Sequence, residues 1–566
     1  MTRKLWVSGL ATLALVAGTL LSGCSNNGEN AGSNGGTDRN SGASTDGGPK
    51  EAERKDISVM IYDRGRVTPD QGTIEENFWT KWMNENGPAN VKYVAIPRFE
   101  SADKLNVLYA SGSAPDLILE YNQKIRNPLY QQKQLLPLDD LIDEYSVEYK
   151  QYMEKYPILR KAGTESDGKL YYFGKVNYVT PNRGVLIRKD WLDKLNLSMP
   201  KTTEELYNVV KAFAEQDPDD NGKKDTYGIA LSGDTVASLQ QMFGATSKWA
   251  VQNGELAVDW NRSTDYTAFA KRLFDEALID RDFSTDNGTK AKQDFINGKL
   301  GIFGFLNDPV QAQLQLIDPL KKNVPAAELA FLPYPTSPEG TFLPTLRNPV
   351  QSPGAISATA KNPDSVMKYV DFLLNESTSN ALSYGVEGTH YETAEGCPAI
   401  IDTDKAQKEV SYLTGDMRLL TASGGEITKC DMPLMQYKND ERKQEYQDFY
   451  DSFIDTYMTF DRAYPELTLS ELMPTLPNDL ATIESNADKT MKDIWLKAIV
   501  GGSKYTVEKA LEDARKEWDA AGGKQVEDWY KNWYENDKDK AILADEVIDL
   551  AKQTYDDYKT IRSELN

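Results

Sequence analysis

Residues Gly184 to Leu206 read GVLIRKDWLDKLNLSMPKTTEEL. Two secondary-structure signals stand back to back in this stretch. Gly184 to Ile187 is a short apolar run with β-branched residues, which reads as a strand. Thr202-Thr203-Glu204-Glu205 has the form of a capping box, in which a threonine and a following glutamate satisfy the free N–H groups of a first helical turn. The helix it opens places Leu206, Val209, Val210 and Phe213 on one stripe at i, i+3, i+4 and i+7. An aspartate-rich loop follows, then a second strand, Tyr227 to Leu231. Strand, helix, strand predicts an α/β protein built from right-handed βαβ units with parallel sheets.

The rhythm persists on both sides. Upstream, Ile57 to Tyr62, Val91 to Ile96 and Leu117 to Glu120 are strand candidates. A helix with apolar positions Ile74, Phe78, Trp82 and Met83 separates the first two, and one with Leu105 and Leu108 separates the next. Downstream, Leu300 to Phe305 and Leu329 to Leu332 read as strands. Asn362-Pro363 starts a helix with proline in its first turn and a buried stripe of Val366, Tyr369, Val370 and Leu373. The last third is mostly helical in pattern and rich in Tyr and Trp.

The N-terminus predicts export. Arg3 and Lys4 precede the uncharged, mostly apolar run Leu5 to Leu21, which ends in Leu21-Ser22-Gly23-Cys24. That ending resembles a bacterial lipobox, so residues 1–23 are expected to be a signal peptide. Cys24 is expected to carry a diacylglyceryl thioether, with an N-acyl chain such as palmitate. Several acyl chains hold a protein on a bilayer where one is marginal. Residues 25–50 contain no Val, Ile, Leu, Met or aromatic residue and read, within residues 24–55, as a flexible tether. The expected location is the outer face of the cell membrane.

From about Asp56 onward the chain is long enough for two lobes. It carries 87 acidic against 64 basic residues, a formal net charge of -23. Such a surface repels nucleic acid and anionic lipid headgroups, and both are discarded as partners. The single histidine, His390, rules out a His-rich zinc site and restricts any Ser-His or Cys-His nucleophile to one residue. No GxxxxGK[ST] loop or GxSxG elbow occurs. The many carboxylates leave a two-acid glycosidase open. Cys397 and Cys430 are equally consistent with one disulfide and with two thiols.

The ordered motifs Ser113-Ala114-Pro115-Asp116-Leu117-Ile118, Gly184 to Leu192, Pro200 to Leu206, Gly385-Val386-Glu387-Gly388-Thr389-His390-Tyr391 and Ser503 to Leu511 resemble the extracellular solute-binding proteins of ABC importers. The nearest group is the large lipoprotein binders of oligosaccharides, relatives of alginate-binding proteins. The resemblance covers nearly all of the mature chain. It implies an α/β, two-lobe, periplasmic-binding-protein-like fold of type II, with the ligand cleft between the lobes and a helical C-terminal region. It places chain crossovers near Val176 to Arg183 and Thr341 to Pro349. Lobe one would be residues 56–180 and 346–400, and lobe two residues 181–345 and 401–566. The implied function is capture of a sugar or oligosaccharide and delivery to a membrane permease, with no bond broken. The alternatives are a secreted glycosidase or lyase, or a binder of peptides or other solutes.

In open α/β sheets ligands bind beyond the carboxyl ends of the strands. That rule nominates Asp63 and Arg64 after the first strand, Arg98 and Phe99 after the second, and Tyr121 and Asn122 after the third. Maltose-type binders use similar positions. In lobe two Trp249 and Phe305 are nominated, and Glu387, His390 and Tyr391 fall in a loop-like segment facing the cleft. Aromatic rings stack on the C–H faces of pyranoses, while carboxylates, amides and arginines pair with hydroxyls.

Asp217 to Gly228, DPDDNGKKDTYG, has calcium-loop spacing around Gly222. Position 12 is glycine rather than glutamate, and a strand follows, so an EF-hand sensor pair is not expected. By resemblance to the alginate-binding relatives, Asp217, Asp219, Asn221 and Asp225 would supply side-chain oxygens and Lys223 its carbonyl to a structural Ca2+. A metal-free, Asx-rich turn is the alternative.

Overall fold

The computed structural model describes residues 54–252, 254–306 and 308–565. The expected signal peptide, Cys24 and nearly all of the tether lie outside the described residues. In chain order the strands are β1 (Asp56–Asp63), β2 (Asn90–Pro97), β3 (Leu117–Leu119), β4 (Phe173–Val176), β5 (Arg183–Arg188), β6 (Tyr227–Ile229) and β7 (Trp249–Gln252). They continue with β8 (Glu255–Val258), β9 (Leu300–Leu306), β10 (Leu329–Phe331), β11 (Val350–Ile356), β12 (Tyr391–Ala394) and β13 (Cys397–Ile400). All seven strands read from the sequence are present within a residue or two.

Two sheets organise the chain. The first has the order β2-β1-β3-β11-β4 and the second β10-β5-β9-β6. Parallel pairing was expected throughout, and the structure corrects this. β1 does run parallel to β2 and β3, but β11 is antiparallel to β3 and β4. In the second sheet β5 is antiparallel to both β9 and β10, and only β6 and β9 are parallel. The cause is the route of the chain. It leaves the first sheet through β4 and re-enters through β11, so the outgoing and returning strands run in opposite directions. In the second sheet β9 inserts between β5 and β6, so the helix between these two strands does not join hydrogen-bonded neighbours.

The two connections between the sheets lie side by side. Asn177 N donates to Pro349 O (2.8 Å), Asn182 N to Thr345 O (2.8 Å) and Arg347 N to Thr180 O (2.8 Å), with an antiparallel bridge between Pro181 and Leu346. They form a narrow two-strand ribbon, and the last helix, Ala544–Leu565, braces it by accepting the Val179 N–H at Thr554 Oγ1 (3.0 Å).

Local signals explain the helices. In Thr203–Glu215 the Thr202 hydroxyl accepts from Glu205 N (3.1 Å), while Glu205 reaches back one residue further, to Lys201 N (2.7 Å). Leu206, Val209, Val210 and Phe213 are buried, as the stripe requires. The first helix differs from expectation. It runs Phe78–Asn86 because Asn77 caps it, accepting from Trp79 N and Thr80 N. The register therefore turns Trp79 and Met83 inward and leaves Phe78 exposed.

The C-terminal third packs in two places. Residues 403–420 pack on the first sheet: Glu409 O accepts from Trp79 Nε1 (2.7 Å), and Asp416 holds Arg64. The helices Asn478–Val500, Val507–Ala521 and Gly523–Asn536 instead build a separate apolar cluster on the β7–β8 hairpin, around Trp249, Trp518, Tyr530 and Trp533. Cys397 and Cys430 form a disulfide with a Cα–Cα distance of 5.2 Å, which closes the question left by the sequence.

Candidate functional site

A cavity of about 680 Å3 opens against the crossover ribbon. That is within the span of about 300–1,000 Å3 usual for small-molecule sites. Both sheets contribute to its wall. Lys175 comes from β4, Gln351 from β11, Arg183 from the start of β5, Asn182 from one crossover, and Arg347 and Asn348 from the other. Gln241 projects from the helix Gly233–Met242 after β6, and Arg418, Glu466 and Glu471 come from the C-terminal half.

The lining is polar and partly pre-arranged. Gln241 Oε1 accepts from Tyr334 Oη (2.8 Å) and Thr345 N (3.2 Å). Asn348 Nδ2 donates to Glu471 Oε2 (3.1 Å), and Arg183 is paired with Asp234 at 2.8 Å. Burial pushes the carboxyls of Glu466 and Glu471 upward. Burial pushes the Lys175 ammonium down to about 8, with Arg418 and Arg347 adding to the effect.

Beyond the carboxyl ends of β1, β2 and β3 sits a second cluster, joined to the cavity through Tyr121. The rings of Tyr62 and Tyr121 stack at 6.0 Å with 8° between their planes. The Arg98 guanidinium lies 4.6 Å from the Tyr62 ring centroid and 5.8 Å from that of Tyr121, and Arg64 lies 5.6 Å from Tyr62. Arg64 donates to both carboxylate oxygens of Asp416, each at 2.7 Å. So the strand-end rule gathers Arg64, Arg98 and Tyr121 into one group.

The sequence profile described as bacterial extracellular solute-binding protein matches residues 65–378, more than half of the chain. The chain belongs to that family. The polygalacturonan/rhamnogalacturonan-binding protein YtcQ of Bacillus subtilis is 25% identical over 549 residues, covering 94% of this chain and 99% of YtcQ. The solved structure of alginate-binding protein AlgQ2 without calcium ion superposes with a TM-score of 0.64 at 22% identity, covering 86% of this chain and 99% of that one. That of the Streptococcus pneumoniae ABC-transporter substrate-binding protein FusA, an EF-hand mutant in complex with fructo-nystose, does so with 0.63 at 18%, covering 85% and 99%. The fold is accordingly the type II periplasmic-binding-protein-like α/β architecture.

In this solute-binding chain several nominated residues stand elsewhere. Trp249 is buried in the C-terminal helical cluster, 4.6 Å from the Tyr530 ring. Phe305 is buried against Phe331 and Phe453, because β9 is covered along almost its whole length. Asn122 caps the helix Gln123–Gln131. Asp63 is exposed and accepts from Gly65 N (2.8 Å), and Phe99 is 97% exposed. Glu387 accepts from Thr393 Oγ1 (2.6 Å), and Tyr391 opens β12 rather than lying in a loop. His390 is buried. Its Nδ1 accepts from Val386 N (3.0 Å) and its Nε2 lies 3.1 Å from Glu409 Oε2, so it fastens the β12–β13 hairpin to the segment after it. None of these eight lines the cavity. Lys175, Gln241, Arg347, Asn348, Arg418, Glu466 and Glu471 escaped sequence reasoning. The available signal was the crossovers themselves, whose polar residues face the space between the sheets.

The Asp217–Asp225 loop folds tightly, with Asp217, Asp220 and Gly222 at φ of 46°, 56° and 72°. Gly222 N donates to Asp217 Oδ2 (3.0 Å), and the Asn221 amide donates to Asp219 Oδ2 (2.8 Å) and Asp225 Oδ1 (2.9 Å). Asp217 Oδ1 and Asp219 Oδ1 are buried without a partner, and burial together with Asp217 raises the Asp219 carboxyl. Among the described residues no group of three or more His, Cys, Asp or Glu side chains is arranged to hold a metal ion. The orphaned oxygens and the all-oxygen donor types nonetheless suit a hard cation, once Asn221 and a backbone carbonyl are counted.

Proposed function

We propose that this chain is the capture subunit of an importer. In this reading it is lipid-anchored at the outer membrane face, binds a sugar or oligosaccharide between two lobes, closes about the ribbon, and passes its load to an ABC permease. The observation that carries the reading is the polar cavity whose wall is shared by both sheets and by the two crossovers. Amides, guanidinium groups and carboxylates converge there, the groups that pair with a hydroxyl-rich solute. The names of YtcQ and of the FusA complex point to saccharides for those proteins.

Lobe one comprises residues 56–180 and 346–420 in this proposal, because residues 403–420 pack on the first sheet. Lobe two comprises residues 181–345 and the helical cluster. Closure bends residues 176–183 and 341–349. Tyr121, Arg98, Arg64 and the exposed Phe99 extend the ligand surface beyond the cavity. Cys24 carries the lipid. The 217–225 loop holds a structural calcium through Asp217, Asp219, Asn221, Asp225 and the Lys223 carbonyl, which neutralises the crowded carboxylates and pins a helix to a strand.

A second reading, saccharide hydrolysis, has one observation behind it: Glu466 and Glu471 are two carboxyls raised by desolvation in the same cavity. One experiment separates the readings. Calorimetric titration with a panel of oligosaccharides and peptides, followed by chromatography of the recovered ligand, should show saturable binding of a saccharide that is recovered intact. Cleavage products would replace the capture reading with the hydrolytic one, and binding of peptides alone would replace the ligand class.

A further inference from the structure

The chain is strongly acidic, yet its cavity concentrates basic groups. Lys175, Arg347 and Arg418 all line the space, and among the described residues none of the three has an ion-pair partner, the Arg347 side chain bonding only the Tyr178 hydroxyl. The carboxylate whose charge acts on Arg418 is Asp416, and both of its oxygens are taken by Arg64. Arg347 lies over the Tyr178 ring at 5.3 Å, within the field of Asp308 and Asp431 but in contact with neither. Three cations without a salt-bridge partner, gathered in a half-enclosed space, repel each other and give up hydration, an arrangement that costs stability unless an anion completes it. The depressed Lys175 ammonium is a symptom of that cost.

The two signs of charge are separated within the cavity. The ionic neighbours that perturb Lys175 are Arg418 and Arg347, whereas those that perturb Glu466 are Glu471 and Arg183, the last already paired with Asp234. The wall thus has a cationic end with no acid in direct contact and an acidic end with amides. A neutral saccharide would leave the cationic end uncompensated. An elongated solute with an anionic group at one end and hydroxyls along the rest fits both.

We infer that the ligand is an acidic saccharide whose anionic group is held by Lys175, Arg347 and Arg418 while its hydroxyls face Glu466 and Glu471. This rests on the saccharide-capture reading above and narrows it to a substrate class. Guanidinium groups grip a carboxylate or a sulfate ester bidentately, and an ammonium adds a point charge.

The test titrates the full chain with oligogalacturonates and oligomannuronates, with their methyl esters, with sulfated galactose oligomers, and with neutral galacto-oligosaccharides. One acidic series should bind at least a hundredfold tighter than its methyl ester or neutral counterpart, and its affinity should fall as salt rises. Whether the uronate or the sulfated arm binds identifies the anionic group. Lys175→Met and Arg418→Gln should each weaken the acidic ligand at least tenfold and narrow its advantage over the methyl ester, with unfolding curves checking that the variants are folded. Equal or tighter binding of the neutral or esterified sugars would overturn the acidic class and leave saccharide capture standing. Binding of no saccharide would overturn both.

Discussion

Lys248 and Lys175 occupy comparable depths in the molecule and have opposite surroundings. Lys248 stands beside the C-terminal helical cluster, with its ammonium 2.9 Å from Glu484 and 2.8 Å from Asp488, and close to the rings of Trp249 and Trp518. Lys175 stands in the cavity wall with two other cations and no acid in contact. The aromatic residues divide in the same way. Trp518 is buried and its indole N–H donates to Glu527 (2.7 Å), while Tyr121 stays half-exposed at the cavity edge between two arginines. Residue type therefore does not mark the site. Completeness of pairing does: groups that close on one another hold the fold, and under the capture proposal groups left open toward a shared space await a solute.

The largest effect should come from the closed region. Trp518 is 1% exposed at the centre of its cluster. Trp518→Ala should lower unfolding free energy by about 3–5 kcal/mol through lost burial and the cavity left behind. Denaturant unfolding measures this, and saccharide affinity of the folded fraction should stay within about twofold. Affinity falling in step with stability would mean the two regions are not separable.

Next comes the 217–225 loop, which under the calcium proposal is a closed region only when the ion is present. With free calcium at about a hundred times its dissociation constant, the ion should add about 2.7 kcal/mol. Chelation should lower the melting temperature accordingly, and Asp219→Ala should abolish the calcium response. A melting curve indifferent to both would return the loop to a turn held by its own Asx hydrogen bonds.

The sequence made the strands legible because apolar runs bounded by turn residues survive without tertiary context. Pairing direction was hidden, since β5 reads identically whether its neighbour is β6 or β9. The cap at Asn77 moved a helix by several positions and exchanged Phe78 for Trp79 as the buried ring, an effect that the apolar spacing alone cannot report. The rule about strand ends brought Arg64, Arg98 and Tyr121 together, beside the cavity, because β1 to β3 are parallel and were all recognised. It missed Lys175 because β4 was not recognised as a strand. Arg418 and Glu466 come from segments more than 200 positions away in the chain from β4, and only packing brings them together. Trp249 was nominated for its chemistry, yet the helical cluster that claims it is built from residues beyond 470.

The finest discrimination is one substitution made twice. Lys248→Met strands Glu484 and Asp488, half-buried carboxylates, beside each other without their cation, and should destabilise by about 2 kcal/mol. Lys175→Met removes a charge that the unliganded protein holds at a cost, and should stabilise by about 2 kcal/mol once the water in the cavity is allowed for. The pH dependence fixes the cause. The Lys175 ammonium is lowered from 10.5 to about 8 in the folded state. Below about pH 8 it is charged in both folded and unfolded chains, so its cost is fully present. Between about 8 and 10.5 the folded chain loses the proton first and the wild type gains stability with rising pH. The advantage of Lys175→Met over wild type should therefore be constant at neutral pH and vanish above about 10.5, as read from paired urea unfolding curves. A destabilising Lys175→Met at pH 7 would show that the cavity lysine is paired within the fold like Lys248, and the distinction between open and closed regions would fall with it.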